Sequence, residues 1–384
     1  MLMNSLGQKH RKQTSALPRW TNGRQFLFCR TSMCKPRLSA SSRPLFRPDP
    51  RVEQLRKDHP TLTKFLGKFS GQFREQCWPA LLILRSDTLD TCRTAEAVTA
   101  FRDLVSLSTI PLARAKRLRY DRGVPLVYST AFQFYPWMLD KRYEDLIMTN
   151  PASLSMHLLS EFKGQSFPEQ SQTSLMERDI DIPLAKALLE RWVARFPQAS
   201  MAWSDRALFR SLNMANEAAR IPALVASTFY DVGRTLALWV SAFEIVAHPG
   251  GTGQSNFLTV AAKIEKVKWL DPMLTAASHN VVTGKKVTQR PLATWIYKKI
   301  YDLRNDYLHG NEVAGEALTL NNKAIIDFAA CLYRLVLTGF LDLEFNQPMP
   351  PSDDEGATSK FISRRMEFRK PQRLLEAALL TAIS

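Results

Sequence analysis

The sequence predicts a mainly α-helical fold, in which a C-terminal five-helix bundle follows an N-terminal module that is mixed α/β or mostly helical. Apolar residues recur at helical spacing from about residue 200 to about residue 343. The chain has 384 residues, 45% of them hydrophobic, which is enough for two or three packed units. This composition excludes fibrous and wholly disordered proteins.

Residues 1–51 differ from the rest of the chain in charge. They carry eleven Lys and Arg residues against Asp49 alone, so that +10 of the net charge of +16 lies here. Five prolines and an excess of Ser, Lys and Arg predict a disordered tail. Three interpretations stay open: a basic arm that binds nucleic acid, a transit-type presequence, and translation that began upstream of the natural start.

Residues 52–200 are expected to form the N-terminal module, whose role the sequence does not indicate. Helical spacing is present over residues 62–73 and 95–107. The segment 125–138 combines aromatic and β-branched residues with partial alternation, which predicts a strand. A polar stretch at 165–173 indicates an exposed connection.

Residues 201–345 are predicted to form the helical domain. Within it we predict helices over residues 207–218, 227–246, 257–269, 292–308 and 321–343. Prolines and acidic residues then indicate a linker over 346–360. Residues 361–384 predict a C-terminal amphipathic helix that begins near Pro371.

The cysteines and the apolar runs bear on location and cofactors. The five cysteines form no C-x-x-C pair and have no cluster of histidines beside them, which disfavours a disulfide scaffold or a zinc ribbon. We therefore expect a cytoplasmic protein with reduced thiols, no cofactor and no bound metal. The most apolar long run, residues 324–341, is interrupted by Asp327 and Arg334, so no membrane span is predicted.

A polar motif ends the fourth predicted helix, in the run Tyr301-Asp-Leu-Arg-Asn-Asp-Tyr-Leu-His-Gly310. Gly310 is typical of a helix C-cap, which puts Arg304, Asn305 and His309 in the last turns. Asn305 and His309 lie about 40° apart around the helix, whereas Arg304 and His309 lie about 140° apart. Arginine and histidine meet at one phosphate if the helix bends, if the guanidinium wraps round, or if a second subunit supplies half of the site.

This pair suits metal-free RNA cleavage, in which the ribose 2′-hydroxyl attacks the adjacent phosphorus. His309 can move a proton near neutral pH and would act as general acid toward the leaving 5′-oxygen, with a general-base role still open. Arg304 can hold two non-bridging phosphate oxygens while charge builds in the transition state. The same spacing also arises by chance, as a surface arginine and a capping histidine.

The string Arg304-Asn-x-x-x-His309-Gly follows an earlier predicted helix that carries Leu238-Trp-Val-Ser-Ala-Phe-Glu244. With these features, residues 206–343 resemble the HEPN superfamily (higher eukaryote and prokaryote nucleotide-binding domains), specifically its Apea-like branch. The resemblance implies a metal-independent endoribonuclease of the toxin, antiphage-defence or RNA-processing type, acting on RNA as a homodimer with a regulatory protein or antitoxin as a further partner. Some members lack activity, so the alternative is a non-catalytic module that binds RNA, nucleotide or a protein partner.

The resemblance also assigns roles to residues. Arg304 and His309 match the catalytic pair of the superfamily, and Asn305 matches the polar residue that follows the arginine. Glu244 resembles the acidic residue of the earlier helix, where it would orient Arg304 or His309. An ordinary ion pair is the alternative for Glu244.

Basic residues elsewhere in the sequence are candidate RNA contacts. They are Arg114, Lys116, Arg117 and Arg119 in one run, and Lys285 and Lys286 in another. A solvated helix face is the alternative for the first run. The glycine-rich segment 248–253 follows a helix and lacks Gly-Lys-Ser/Thr, so we expect a helix-terminating loop there and not a phosphate-binding one.

Overall fold

A computed structural model describes residues 57, 60, 64, 69–70, 89–120, 126–132, 138–139, 145–150, 153–158, 164–165, 177–197, 202–220, 229–351 and 354–383. The predicted tail and most of the helix predicted at 62–73 lie outside these residues. The chain divides into two compact units. One consists of Met1–Arg93 and Phe134–Glu169, and the other of Thr94–Gln133 and Gln170–Ser384.

Short strands are the main described elements of the first unit. They are β1 (Phe69–Ser70), β2 (Met138–Leu139), β3 (Asp145–Asn150), β4 (Ser153–Leu158) and β5 (Gly164–Gln165). β2, β3 and β4 form an antiparallel sheet in that order, in which Ile147 is the partner of both Met138 and Met156. β1 and β5 form a separate parallel pair.

The second unit is helical, and the prediction of a mainly α-helical fold is confirmed. Its helices are α1 (Ala95–Leu107), α2 (Ile110–Tyr120), α3 (Ile182–Arg195), α4 (Trp203–Ala218), α5 (Phe229–Ala247), α6 (Phe257–Glu265), α7 (Leu292–His309), α8 (Ile325–Phe340) and α9 (Glu355–Leu380). Two hairpins interrupt them, β6 (His279–Thr283) with β7 (Lys286–Arg290), and β8 (Thr319–Leu320) with β9 (Lys323–Ala324). Among the described helices, none combines the length and apolar character that a membrane crossing requires.

Aromatic rings from three helices meet in the core of this unit. The ring of Phe243 on α5 lies 5.0 Å from that of Tyr297 on α7 and 5.5 Å from that of Tyr333 on α8. Ser211 of α4 donates a hydrogen bond to the carbonyl of Ala242 at 2.6 Å and lies 2.7 Å from the Tyr333 hydroxyl. Burial raises the pKa of Tyr333, which keeps this hydroxyl protonated. The contact ties α4, α5 and α8 together.

The boundary between the units differs from the one predicted near residue 200. Helices α1, α2 and α3, which the sequence analysis placed in the N-terminal module, belong to the second unit. α2 packs on both α8 and α9, and α1 packs on α4. Arg334 of α8 forms a buried ion pair of 2.5 Å with Asp181, the N-cap residue of α3. These contacts involve partners far apart in sequence, which local periodicity does not report.

The strand predicted over 125–138 is wrong for most of the residues that the structure describes there. Ser129–Phe132 form a 3₁₀ turn, and Met138 is the one described residue of the segment in a strand. The backbone N–H of Ser129 donates to Ala219 at 2.9 Å, and its hydroxyl donates to the carbonyl of Asn216 at 2.6 Å. These groups close the end of α4, so they are not available to a sheet.

The C-terminal helix is longer than predicted. α9 begins at Glu355, where Asp354 accepts a hydrogen bond from the backbone N–H of Ala357 at 2.8 Å, so part of the predicted linker is helical. Pro371 lies inside α9 and not at its start. Pro371 is buried, and its packing compensates for the helical hydrogen bond that proline cannot donate.

Candidate functional site

The predicted motif occupies the last two turns of α7. Gly310 follows the helix with φ of 73°, a left-handed conformation that glycine adopts without steric cost, and the predicted C-cap is confirmed. The backbone N–H of Asn311 donates to the carbonyl of Asp306 at 2.9 Å and closes the last turn. His309 is the final helical residue and is exposed.

Arg304 is half-buried and points back along α7. Its Nη1 donates to Asn305 Oδ1 at 2.9 Å, and its guanidinium carbon lies 5.9 Å from the ring centre of Tyr301, one turn closer to the start of the helix. Its Nε is buried and has no hydrogen-bond partner among the described residues. This nitrogen has no accessible surface, so a solute does not reach it.

Glu244 faces Arg304 from α5. Burial raises the pKa of the Glu244 carboxyl above its ordinary value, and the positive charge of Arg304 opposes that rise. No ion pair within 4 Å joins the two groups in the described structure, so the attraction acts at longer range. Glu244 is thus close enough to bias the position of the guanidinium without holding it directly.

Two tyrosines complete the neighbourhood of Arg304, and the sequence analysis assigned a role to neither. Tyr297 is fully buried, and its hydroxyl lacks a hydrogen-bond partner among the described residues. Burial raises the pKa of Tyr297 well above its ordinary value, and the Glu244 carboxylate raises it further. We call Glu244, Tyr297, Tyr301, Arg304 and Asn305 the α5–α7 polar cluster. Tyr297 and Tyr301 precede Arg304 by seven and three residues, a helical spacing that could have identified them.

His309 stands apart from this cluster. Within the part of the chain that the structure describes, no hydrogen bond or ion pair links its imidazole to Arg304, Asn305 or Glu244. Five residues of α-helix separate His309 from Arg304 by about 7.5 Å along the axis and about 140° around it. The structure therefore brings Glu244, Arg304 and Asn305 together and leaves His309 at the exposed helix end.

The prediction that Arg114 contacts RNA is wrong, and Lys116 is engaged with another residue of the protein. Arg114 is buried, pairs with Asp327 at 3.3 Å and donates to the carbonyl of Val127 at 3.3 Å, so it does not reach a surface ligand. Lys116 forms an ion pair with Asp179 at 2.6 Å. Burial raises the pKa of Asp327, and the positive charge of Arg114 counteracts this. Arg114 serves to compensate a buried carboxylate.

The remaining candidates are at the surface. Arg117 is partly exposed and lies 3.4 Å from Asp327 Oδ2, and Arg119 is exposed with its guanidinium carbon 5.5 Å from the ring centre of Tyr120. Lys285 and Lys286 are exposed at the tip of the β6–β7 hairpin. Neither lysine has an ion-pair partner among the described residues. These four side chains are accessible to a solute.

The glycine-rich segment at 248–253 closes on itself, as expected for a helix-terminating loop. His248 Nδ1 accepts from the backbone N–H of Gly250 at 3.0 Å, and its Nε2 lies 2.5 Å from the carbonyl of Gly253. The ring centre of Trp203 lies 5.2 Å from that of His248, with the two rings tilted by 50°. The N–H of Gly250 is therefore occupied inside the loop and is not presented to a phosphate.

Two further observations bear on ligands and relatives. Among the described residues, no group of three His, Cys, Asp or Glu side chains is arranged to hold a metal ion. Compared with known proteins, the chain matches no family profile, no curated protein and no solved structure.

Proposed function

We propose that this protein is a cytoplasmic, metal-independent endoribonuclease of the toxin or antiphage-defence type, with a HEPN-like helical domain. The observation that carries the proposal is the pairing of a half-buried Arg304 and an exposed His309 in the last two turns of α7. The planar guanidinium of arginine can hold two phosphate oxygens, and an exposed imidazole at a helix C-terminus suits proton transfer.

The reaction follows from these two side chains. The ribose 2′-hydroxyl gives its proton to a solvent base, and its oxygen attacks the adjacent phosphorus, forming a 2′,3′-cyclic phosphate as the bond to the 5′-oxygen breaks. His309 delivers a proton to that leaving oxygen. Arg304 binds the non-bridging oxygens, whose charge increases in the transition state. Asn305 and Glu244 position the guanidinium, the first by a hydrogen bond and the second by its charge.

A second copy of the chain completes the site. Arg304 and His309 of one chain lie about 140° apart around a straight α7, which favours a site to which two chains contribute. In a homodimer with the two α7 ends side by side, Arg304 of one protomer and His309 of its partner converge on one phosphate. A regulatory protein or antitoxin that covers this end of α7 would block the reaction.

The test uses the full chain with single-stranded RNA in EDTA. Wild-type protein is expected to produce fragments with 2′,3′-cyclic phosphate ends, and Arg304→Ala and His309→Ala are expected to abolish them. Arg234→Ala, which removes an exposed arginine of α5, is the matched control and should cleave normally. Cleavage that survives in His309→Ala, or that requires a divalent cation, contradicts the proposal.

The second candidate is a non-catalytic module that binds RNA, nucleotide or a protein partner. The observation that favours it is the Arg304 guanidinium, whose Nη1 donates to Asn305 and whose Nε is buried, so these two nitrogens are not presented to a phosphate. This candidate predicts intact RNA with every protein tested, together with RNA binding that Arg304→Ala weakens.

A further inference from the structure

The middle of α9 is largely exposed and strongly basic. Between residues 360 and 373 it carries six cationic side chains and one carboxylate, that of Glu367. The six are Lys360, Arg364, Arg365, Arg369, Lys370 and Arg373. Their net charge of +5 within fourteen residues makes this the most strongly charged segment of the described helices.

These six cations have no carboxylate partner among the described residues. No ion pair within 4 Å involves any of them in the described part of the chain, whereas Arg102, Arg191 and Arg290 each pair with an acidic side chain. Partial burial together with the charges of Arg365 and Arg373 lowers the pKa of Arg369. The cations therefore repel one another, and an anionic ligand would relieve that repulsion.

Three of the arginines form a row that turns by about 40° per step around α9. Arg365, Arg369 and Arg373 occur at intervals of four residues, so they share one face of α9 and follow one another at steps of about 6 Å. We call these three residues the arginine stripe. A nucleic-acid strand presents phosphates as a regular linear row, and the planar guanidinium fork matches the geometry of two phosphate oxygens.

The second half of α9 holds the stripe in a fixed position. The buried Glu376 carboxylate accepts hydrogen bonds from the backbone N–H groups of Leu270 and Asp271, at 3.0 and 2.8 Å. Gln372 donates to the carbonyl of Lys268 at 2.9 Å and to Glu376 at 2.7 Å. A stripe on an anchored helix loses little conformational entropy when it binds a ligand.

The aromatic side chains of the exposed half face the protein. Phe345 lies 5.4 Å from Phe361 and 5.8 Å from Phe368, measured between ring centres. Ile362 and Met366 are the large apolar side chains that α9 exposes. A helix that lies on a lipid surface buries a broad apolar face with aromatic residues, and this part of α9 offers no such face. The chemistry of the stripe favours nucleic acid over a membrane.

We propose that the arginine stripe of α9 binds the phosphate backbone of single-stranded RNA. The inference goes beyond the proposed cleavage, because it assigns a binding surface on a different helix and concerns affinity alone. Contacts to the backbone are insensitive to sequence, so the stripe contributes affinity and orientation without selecting a target.

The test measures binding of a short fluorescein-labelled single-stranded RNA by anisotropy over a salt series. All proteins are full-length and carry His309→Ala, so that cleavage does not consume the probe. The test variant is Arg365→Gln/Arg369→Gln/Arg373→Gln, and the matched control is Arg206→Gln/Arg210→Gln/Lys263→Gln, which removes the same charge from exposed positions that are not candidate RNA contacts. Circular dichroism verifies that both variants keep their helical content.

The stripe variant is expected to bind at least about tenfold more weakly than the control variant. The slope of log affinity against log salt should become shallower by about 2, because each of three phosphate contacts to single-stranded RNA contributes about 0.7. Equal affinity of the two variants overturns the proposal. So does stripe-dependent binding to phosphatidylserine/phosphatidylcholine vesicles with RNA binding unaltered. If wild-type protein fails to cleave RNA but shows stripe-dependent binding, the proposed cleavage fails and this inference stands.

Discussion

Gly233 of α5 lies directly against the ring of Tyr307 on α7. A Cβ atom built on Gly233 would stand 2.6 Å from Tyr307 Cδ1 and 2.8 Å from Cγ, closer than real Cβ contacts occur. Tyr307 lies between Arg304 and His309 in the sequence, so the absence of a side chain at Gly233 sets the distance between α5 and the end of α7 that carries the motif.

Gly233→Ala is therefore expected to destabilise the protein by about 1–3 kcal/mol, because the ring and the helix end must shift to admit a methyl group. Urea denaturation measures the change. Gly339→Ala in α8 is the control, since its new Cβ would have its nearest neighbour at 3.7 Å, and it should stabilise by about 0.5–1 kcal/mol through helix propensity. If Gly233→Ala were as stable as the wild type, the contact between α5 and α7 would not depend on the absence of a side chain at Gly233.

Arg334→Met is expected to cost about 3–5 kcal/mol of unfolding free energy, because it leaves the buried Asp181 carboxylate without its counter-ion. Arg234→Met is the control, since it breaks an exposed ion pair with Asp231 and should cost less than about 1 kcal/mol. The double variant Asp181→Asn/Arg334→Met should recover part of the loss. If Arg334→Met cost no more unfolding free energy than the control, Arg334 would not be the counter-ion on which the buried Asp181 depends.

The pKa of Glu244 gives a prediction for stability against pH. Burial raises the pKa of this carboxyl in the folded protein, so the native state binds more protons than the unfolded state above about pH 4.3. The wild type should therefore lose stability relative to Glu244→Gln as the pH rises from about 4.3 through the raised pKa. Denaturation curves at several pH values test this, with Glu367→Gln in the exposed part of α9 as control. A stability difference that is flat with pH would be inconsistent with burial of the carboxyl.

Mixing inactive variants tests whether two chains share one site. If Arg304 and His309 act on the same phosphate from different protomers, Arg304→Ala and His309→Ala proteins should complement each other. Random exchange makes half of the dimers mixed, and each mixed dimer keeps one complete site, so about a quarter of wild-type activity should return. A mixture as inactive as its components would place both residues of each site on the same chain.

The helices of the C-terminal half were predictable because their apolar residues recur at helical spacing over many residues. The end of α7 was predictable because glycine is the residue that most often follows a helix, and Gly310 does so here. The β6–β7 hairpin was missed, since much of it is exposed and polar and it offers little apolar alternation. The sequence feature that indicates this hairpin is Gly284-Lys285, which forms the turn between the strands, with Gly284 at φ of 60°.

The candidate site was predictable only as far as the motif itself. Arg304 and His309 could be found because they lie five residues apart, but the direction of each side chain depends on packing against α5. Arg114 was misassigned because the carboxylate that neutralises it, Asp327, lies on a helix far along the chain. A run of basic residues does not indicate which of its members is buried.

The packing of α2 against α8 and α9 also bears on synthesis of the protein. Arg114 leaves the ribosome 213 residues before Asp327, which corresponds to roughly 10–40 s of translation. During that interval the apolar side of α2 has neither of its helical neighbours, and its arginine lacks its counter-ion. The helical unit therefore completes its core only when the last helices have been made, and a nascent chain arrested before α8 leaves the apolar side of α2 uncovered.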